Sequence, residues 1–252
     1  MIHNPHLEGG SFYWSGNHIG ILLSHGFTAT TAEVRLLAQI LHKTGYTISA
    51  PLLPGHFTTP EDLNSVKWQD WVNTVEHAYR YLKSQCEFVF VGGESTGGLL
   101  AMYLASKYND ITGILTYAPA LRLARTNFEL LCLNVAVPFI PYIRKTAKDD
   151  DLPWQGYMVY PLKAARELLK LQRIIADRLT TIYQPILIVQ GKHDESVHPE
   201  APYMIYRKVN SSMKEIHLME NSTHVVLVDK EIKKVGLITQ TFIEKVLQSR
   251  PS

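Results

Sequence analysis

The stretch Gly93-Glu94-Ser95-Thr96-Gly97 decides the fold, because it fits the pattern G-x-S-x-G, which is typical of a sharp turn between a strand and a helix. Such a turn exposes the serine hydroxyl beside a helix N-terminus, whose partial positive charge favours a developing anion. The apolar run 88–91 before it predicts a buried strand, and the run 98–105 after it predicts a helix interior. A glycine-rich connection without any chemistry is the alternative, and the rest of the chain has to decide between them.

Length and composition exclude several classes of protein. The chain has 252 residues, enough for one large α/β domain or two small ones, and 46% of them are hydrophobic. A net charge of +2 without any polybasic run gives no reason to expect a nucleic-acid partner. No apolar run approaches the length of a membrane span, and the N-terminus lacks the pattern of a signal peptide. Cys86 and Cys132 match no zinc or redox spacing, so we expect a cytoplasmic protein with no stable membrane insertion.

Apolar strands alternate with amphipathic helices along most of the chain, which predicts a mostly parallel central sheet flanked by helices on both faces. The predicted strands are Ile19–Leu23, Tyr46–Ser49, Phe88–Val91, Ile111–Tyr117, Pro185–Val189 and Glu215–Met219. A short apolar run, Phe12–Trp14, is compatible with an antiparallel edge strand. Thr30 and Glu33 have the spacing of a capping box at the start of the first helix.

One segment breaks this alternation. Residues 121–181 contain no convincing strand pair, and their second half predicts a helix from about Pro161 to Leu179. We interpret them as a helical cap inserted into a core formed by residues 1–120 and 182–252; extra helices packed on the sheet edge are the alternative. The charged run 148–151 is interpreted as a solvated hinge, because no further ligands accompany it at metal-binding spacing. No metal or cofactor is therefore expected.

A serine nucleophile needs a base, and the base needs an acid that orients it. Asp194 directly follows the predicted strand 185–189, and the adjacent Glu195 could substitute for it. His224 follows the last predicted strand, so that Ser95, Asp194 and His224 occur in the order of a serine hydrolase with this type of sheet. All three fall on loops at the edge of the sheet where open α/β folds place their sites.

Three other histidines compete with His224 for the role of the base, and two backbone N–H groups are candidate donors to the oxyanion. His193, His198 and His217 are the rivals of His224; His193 precedes the acid, which is the wrong order. The N–H group of Thr96, directly after the nucleophile, should donate to the oxyanion. A second donor should come from the loop after an earlier strand, where Gly26 allows a close backbone approach and Phe27 offers its N–H group.

These motifs resemble the bacterial carboxylesterases and monoacylglycerol lipases of the α/β-hydrolase superfamily. The matching pieces are Leu22–Thr28, Pro54-Gly55-His56, the elbow with Gly98, Asp194-x-x-Val197-x-Pro199 and Thr223-His224. The resemblance implies an α/β-hydrolase fold, a catalytic triad of Ser95, Asp194 and His224, and oxyanion donors at Phe27 and Thr96. It also implies hydrolysis of an ester or monoglyceride with a short or medium acyl chain.

The chain departs from this family at two positions. Phe57 stands after the Gly-His pair where the family often has glycine, which puts the conformation of that loop in doubt. Glu94 precedes the nucleophile where many members carry His or Leu. We interpret Glu94 as a buried structural acid, with a role in shaping the site as the alternative, and His56 as structural.

The cap should decide which substrate is accepted. Its apolar side chains are expected to line an acyl pocket and to move over it; the candidates are Phe128, Leu131, Val137, Phe139 and Ile140. A thioesterase or amidase with the same triad, a lipase acting at an interface, and a non-catalytic ligand-binding member of the fold remain open. The sequence does not determine the oligomeric state.

Overall fold

The computed structural model describes residues 2–126, 139–145 and 152–250, with a seven-stranded sheet at its centre. The strands are numbered in chain order. Their spatial order across the sheet is β11 (Lys214–Met219), β10 (Ile186–Gly191), β6 (Gly113–Tyr117), β5 (Phe88–Glu94), β3 (Ile19–Ser24), β4 (Thr47–Ala50) and β2 (Phe12–Trp14). Neighbouring strands are parallel except at the β2–β4 pair, which is antiparallel. The six predicted core strands and the antiparallel edge strand are confirmed.

Helices cover both faces of this sheet. They are α1 (Ala32–Lys43), α2 (Pro60–Ser65), α3 (Trp68–Gln85), α4 (Thr96–Lys107), α5 (Leu162–Arg178), α6 (Ala201–Lys208) and α7 (Ile232–Gln248). The apolar stripes of α1 and α7 pack on one face, and those of α3, α4 and α5 contribute to the core on the other. Because both faces are covered, the strands are buried and their sequences are nearly continuous apolar runs.

Two short strand pairs correct the expectation that residues 121–181 contain none. One pairs β1 (Ile2–His3) with β8 (Gly156–Tyr157), and the other pairs β7 (Tyr142–Arg144) with β9 (Val159–Pro161). Strands of two or three residues are too short to show an alternating pattern, and the partner of β1 lies more than 150 residues away along the chain. The helix predicted from about Pro161 is present as α5.

The expected capping box at α1 is also wrong. The helix begins at Ala32 with Thr31 as its N-cap, whose side chain makes no capping bond; Thr30 Oγ1 accepts a long hydrogen bond from the N–H group of Ala32, at 3.3 Å. Glu33 turns inward instead, and its Oε2 accepts a hydrogen bond from the N–H group of Gly26 at 2.6 Å. Glu33 thus binds the N–H group of Gly26 in another loop instead of the N–H group of Thr30, which a capping box requires.

The parallel strands place their carboxyl ends at one edge of the sheet. The loops after β3, β5, β10 and β11 therefore emerge at the same edge, and they carry residues 25–31, 95, 192–200 and 220–231. Within the described part of the chain, no helix combines the length and the apolar character needed to cross a membrane.

Candidate active site

Ser95 lies on a strained turn between β5 and α4. Its backbone angles are φ 55° and ψ −110°, a conformation that costs a non-glycine residue free energy and that turns the side chain out of the helix. A Cβ atom at Gly93 or Gly97 would collide with the backbone oxygen of Ser24 on the neighbouring strand. Only glycine therefore lets the strand and the helix approach each other this closely, as the G-x-S-x-G pattern predicts.

Asp194 is held at the end of β10 by four donors. Its Oδ1 accepts hydrogen bonds from the N–H groups of Ser196 and Val197 at 2.8 and 2.9 Å. Its Oδ2 accepts from Gln190 Nε2 at 2.6 Å and faces His224 Nδ1 at 2.8 Å. The carboxylate is thereby fixed in a single orientation toward the imidazole. Glu195, which could have substituted for it, is exposed.

His224 is positioned by its own loop as well as by Asp194. The preceding residue, Thr223, donates from its N–H group and its hydroxyl to Asp229 Oδ2, at 2.7 and 2.8 Å. The rival histidines lie elsewhere: His193 is exposed, and His217 pairs with Glu215 at 3.0 Å. The third rival, His198, accepts from a nearby backbone N–H group.

The pKa values of the pair move apart. Burial raises the pKa of Asp194, but the charge and hydrogen bond of His224 and two backbone donors outweigh it, so the pKa is lowered. Burial lowers the pKa of His224, but the charge and hydrogen bond of Asp194 outweigh it, so the pKa is raised. Asp194 therefore stabilises the protonated imidazole, which is what a general base needs after it has accepted a proton.

Ser95 and His224 lie at the same edge of the sheet but are not hydrogen-bonded. Among the hydrogen bonds of these two described residues, none joins Ser95 Oγ to the imidazole. Without a substrate, catalytic hydrogen bonds are often long and tighten only when the reacting complex forms. The structure thus brings Asp194 and His224 into direct contact and places Ser95 after β5 at the same edge of the sheet, with β6 between β5 and β10.

Two backbone N–H groups beside Ser95 are free to bind an anion. The N–H groups of Phe27 and Thr96 donate to no other residue in the described ranges. Thr96 is the first residue of α4, and the first N–H groups of a helix have no partner within it. This is the arrangement expected of an oxyanion hole, and both donors were predicted from the sequence.

Two buried histidines hold the loop that carries Phe27. His25 Nδ1 donates to the backbone oxygen of Gly26 at 2.9 Å, and its Nε2 accepts from the N–H group of Leu53 at 3.0 Å. His56 Nε2 accepts from the N–H group of Thr28 at 3.2 Å, and Thr28 has a positive φ of 65°. Burial lowers the pKa of His25 to about 4, and it lowers the pKa of His56 well below its ordinary value. Both rings are therefore neutral and structural.

The loop around His56 has an unusual conformation of its own. Phe57, which stands where the resembling family often has glycine, has a positive φ of 60°. The side chain therefore occupies a backbone position that favours glycine, and 37% of it is exposed. Although Phe57 stands where the family often has glycine, the loop keeps the backbone conformation that glycine adopts easily.

Two buried carboxyl groups lie behind the nucleophile. Glu94 Oε1 accepts a hydrogen bond from the N–H group of Leu227 at 3.1 Å, and its Oε2 has no hydrogen-bond partner among the described residues. Burial and the neighbouring Glu33 raise the pKa of Glu94 well above its ordinary value, which favours the neutral acid. Burial likewise raises the pKa of Glu33, to about 7.

Lys145 was not singled out by the sequence analysis. It directly follows β7, and its Nζ donates to Thr28 Oγ1 at 2.6 Å, one residue beyond the Phe27 donor. The only sequence signal is a lysine in a segment rich in basic and apolar residues, and such a pattern does not predict a partner 117 positions away.

The predicted acyl-pocket residues are only partly visible. Phe128, Leu131 and Val137 lie outside the described residues. Phe139 is 83% exposed and Ile140 45% exposed, so neither is enclosed in a pocket in this structure. Their role therefore stays a prediction. Within the residues that the structure covers, no group of three or more His, Cys, Asp or Glu side chains could hold a metal ion.

A parallel sheet with an antiparallel edge strand, a serine on a strained strand-to-helix turn and a His-Asp pair on the following loops define an α/β hydrolase. The chain belongs to the serine aminopeptidase S33 family, whose family model matches residues 17–155 and 144–231. The predicted membership of the α/β-hydrolase superfamily is confirmed.

Relatives with assigned activities agree on an esterase- or lipase-type hydrolase. The chain is 34% identical to the thermostable monoacylglycerol lipase of Bacillus sp. (strain H-257) over 226 residues, 89% of this chain and 90% of that enzyme. It is 30% identical to a carboxylesterase of Bacillus subtilis (strain 168) over 237 residues, 93% of this chain and 96% of that enzyme. A solved structure from work on the metagenome-derived lipolytic enzymes LipS and LipT is 30% identical and superposes with a TM-score of 0.89, covering 95% of this chain and 99% of that one.

Proposed function

We propose that this chain is a serine esterase that cleaves carboxylic esters of short to medium acyl chains, monoacylglycerols among them. The observation that carries the proposal is the strained Ser95 turn with two unused N–H groups beside it, next to a hydrogen-bonded Asp194–His224 pair. The names of the monoacylglycerol lipase and the carboxylesterase support the choice of ester substrates.

The mechanism assigns one task to each group. His224 removes the proton from Ser95 Oγ, which attacks the ester carbonyl and forms a tetrahedral intermediate. The N–H groups of Phe27 and Thr96 donate to its oxyanion, and Asp194 stabilises the imidazolium. His224 then passes the proton to the leaving alcohol, and a water molecule, activated by the same imidazole, hydrolyses the acyl-enzyme.

Residues 121–181 act in this proposal as a cap over the site. Phe139 and Ile140 would contact the acyl chain of a bound substrate, since their exposed side chains offer apolar surface just before β7. The three remaining candidates, Phe128, Leu131 and Val137, would extend the same acyl pocket.

The test is turnover of a chain-length series by the purified protein. The series consists of p-nitrophenyl esters and monoacylglycerols, with a thioester and an anilide of the preferred acyl group. The proposal predicts the highest kcat/KM on esters and loss of turnover in Ser95→Ala. Faster turnover of the thioester or the anilide than of the ester would replace the proposed activity with that of a thioesterase or an amidase.

A further inference from the structure

A groove with two cationic side chains runs beside the loop that carries Phe27. It has a volume of about 470 Å³ and lies between α2, which contributes Glu61, and the β7–β9 pair, which contributes Arg144. Lys145 lines it as well, together with apolar side chains such as Met158. The groove is lined mainly by apolar surface, and two adjacent cationic side chains are not needed to hold an alkyl chain there.

Lys145 is held in the groove by uncharged groups. Its ammonium donates to Thr28 Oγ1 at 2.6 Å and lies 5.0 Å from the ring centroids of both Trp154 and Tyr160. No carboxylate of the described residues forms an ion pair with Lys145; Glu33 acts on it only at longer range. A cation removed from water with no direct counter-charge leaves hydrogen-bonding capacity for an anion.

The same ammonium lies close to the reacting atoms. Thr28, its hydrogen-bond partner, directly follows the proposed oxyanion donor Phe27. The charge of Lys145 also lowers the pKa of His224, which places the ammonium within electrostatic reach of the triad. Burial lowers the pKa of Lys145 to about 8, so most of it remains protonated at neutral pH.

We propose that this groove is a subsite for an anionic oxygen group, a carboxylate or a phosphate, carried by the ester that Ser95 cleaves, and that Lys145 selects for that group. Arg144, which is exposed in the groove, would add a second positive charge, while the carboxylate of Glu61 lies on the α2 wall. The preferred substrates are then acidic esters, with the charge a few bonds from the scissile carbonyl. This proposal rests on the proposed function.

Matched substrates separate charge from shape. On the acyl side, 4-nitrophenyl pentanoate and hexanoate are compared with the mono-4-nitrophenyl esters of glutaric and adipic acid, which carry a terminal carboxylate. On the alcohol side, a monoacylglycerol is compared with the same compound phosphorylated on its free primary hydroxyl. Blanks with Ser95→Ala correct for spontaneous hydrolysis. The readout is the ratio of kcat/KM for the anionic substrate to that for its neutral counterpart, measured at pH 7.

Replacing the charge should change this ratio. Lys145→Met should lower it about tenfold or more in at least one of the two arms, as expected for the loss of a charged hydrogen bond, and Lys145→Arg should restore part of it. The arm that responds identifies whether the anion is a carboxylate on the acyl side or a phosphate on the alcohol side. Lys208→Met, at the exposed end of α6, makes the same change in net charge far from the groove and should leave the ratio unchanged.

An unchanged ratio in both arms of Lys145→Met, or an equal loss on neutral and anionic substrates, would overturn the subsite. If Lys145→Met does not fold, the wild type carries the test: raising the salt concentration from about 0.05 M to about 0.5 M should lower the ratio, because salt screens the attraction. A salt-independent ratio would also overturn it. Turnover of the neutral esters that persists in Ser95→Ala would contradict the proposed function instead.

Discussion

Glu94 Oε1 lies 3.1 Å from the backbone nitrogen of Leu227 and accepts its hydrogen bond. Glu94 directly precedes Ser95, and Leu227 lies three residues after His224, so this bond ties the strand of the nucleophile to the loop of the base. We therefore expect Glu94 to combine the two roles left open by the sequence, structural and site-shaping, as a buried acid that positions His224 relative to Ser95.

Two substitutions at Glu94 should therefore behave differently. Glu94→Gln keeps a neutral acceptor for Leu227 and should retain kcat within about threefold. Glu94→Leu leaves that N–H group unpaired, which should cost about 1–3 kcal/mol of unfolding free energy and about 10- to 100-fold in kcat through a displaced His224. Urea unfolding and ester turnover measure both effects. Full activity in Glu94→Leu would show that the bond does not position the base.

The two buried carboxyl groups should also give stability an unusual pH dependence. Because the pKa of Glu94 and that of Glu33 are raised above the ordinary value of 4.5, the unfolded chain releases protons that the folded chain keeps. Their stabilising contribution is complete below the unfolded pKa and is lost as the pH rises, by about 1.4 kcal/mol per pH unit for each group. Their share of the unfolding free energy should therefore fall between about pH 5 and pH 6.5, whereas the buried neutral His25 and His56, whose pKa values are lowered, contribute a rise over the same range.

Glu94→Gln removes one of these protons, so the slope of its unfolding free energy against pH in this range should be more positive than that of the wild type by about one proton. Urea unfolding at several pH values tests this directly. A slope equal to that of the wild type would mean that Glu94 is ionised in the folded protein.

The hydrophobic pattern predicted the sheet, and the G-x-S-x-G motif predicted the strand-to-helix turn at Ser95, since buried strands and such turns have local sequence signals. Glu33 was misinterpreted because its partner, the Gly26 N–H group, comes from another loop and competes with the local capping bond. Lys145 was missed because its hydrogen-bond partner lies 117 positions away. Local patterns thus predict elements and their ends, whereas side-chain partners between distant segments become visible only once the chain is folded.

Asp194 and Glu195 offer a matched pair of neighbouring acids. Asp194→Asn should lower kcat by about 10⁴-fold, because the hydrogen bond that sets the imidazole tautomer is altered. Glu195→Gln should have little effect, because the His224 ring is bonded to Asp194. Comparable losses in the two variants would contradict the assignment of the acid.

The pH–rate profile tests the same pair in the wild type. Since Asp194 raises the pKa of His224, activity should appear as the pH rises through a midpoint above 6.5, where the imidazole becomes neutral. The residual activity of Asp194→Asn should show a lower midpoint, because the charge that raises the pKa of His224 is gone. A midpoint that does not move would mean that another group controls the profile.

The turn that carries Ser95 should tolerate no side chain at Gly97. Gly97→Ala places a methyl group against the backbone oxygen of Ser24, so the variant should lose most of its activity and should unfold at lower urea concentration. Gly10→Ala is the matched control, because its added Cβ would meet no atom within 4 Å. An active and stable Gly97→Ala variant would show that α4 does not pack as closely as the elbow requires.

The most direct test of the account is covalent labelling with a fluorophosphonate, which reacts with activated serines. Mass spectrometry of the digested wild-type protein should find the adduct on Ser95, and labelling should disappear in Ser95→Ala and slow strongly in His224→Ala. Absence of labelling in folded wild-type protein, or an adduct on another serine that persists in Ser95→Ala, would contradict the assignment of Ser95 as the nucleophile and favour a ligand-binding protein that shares this fold.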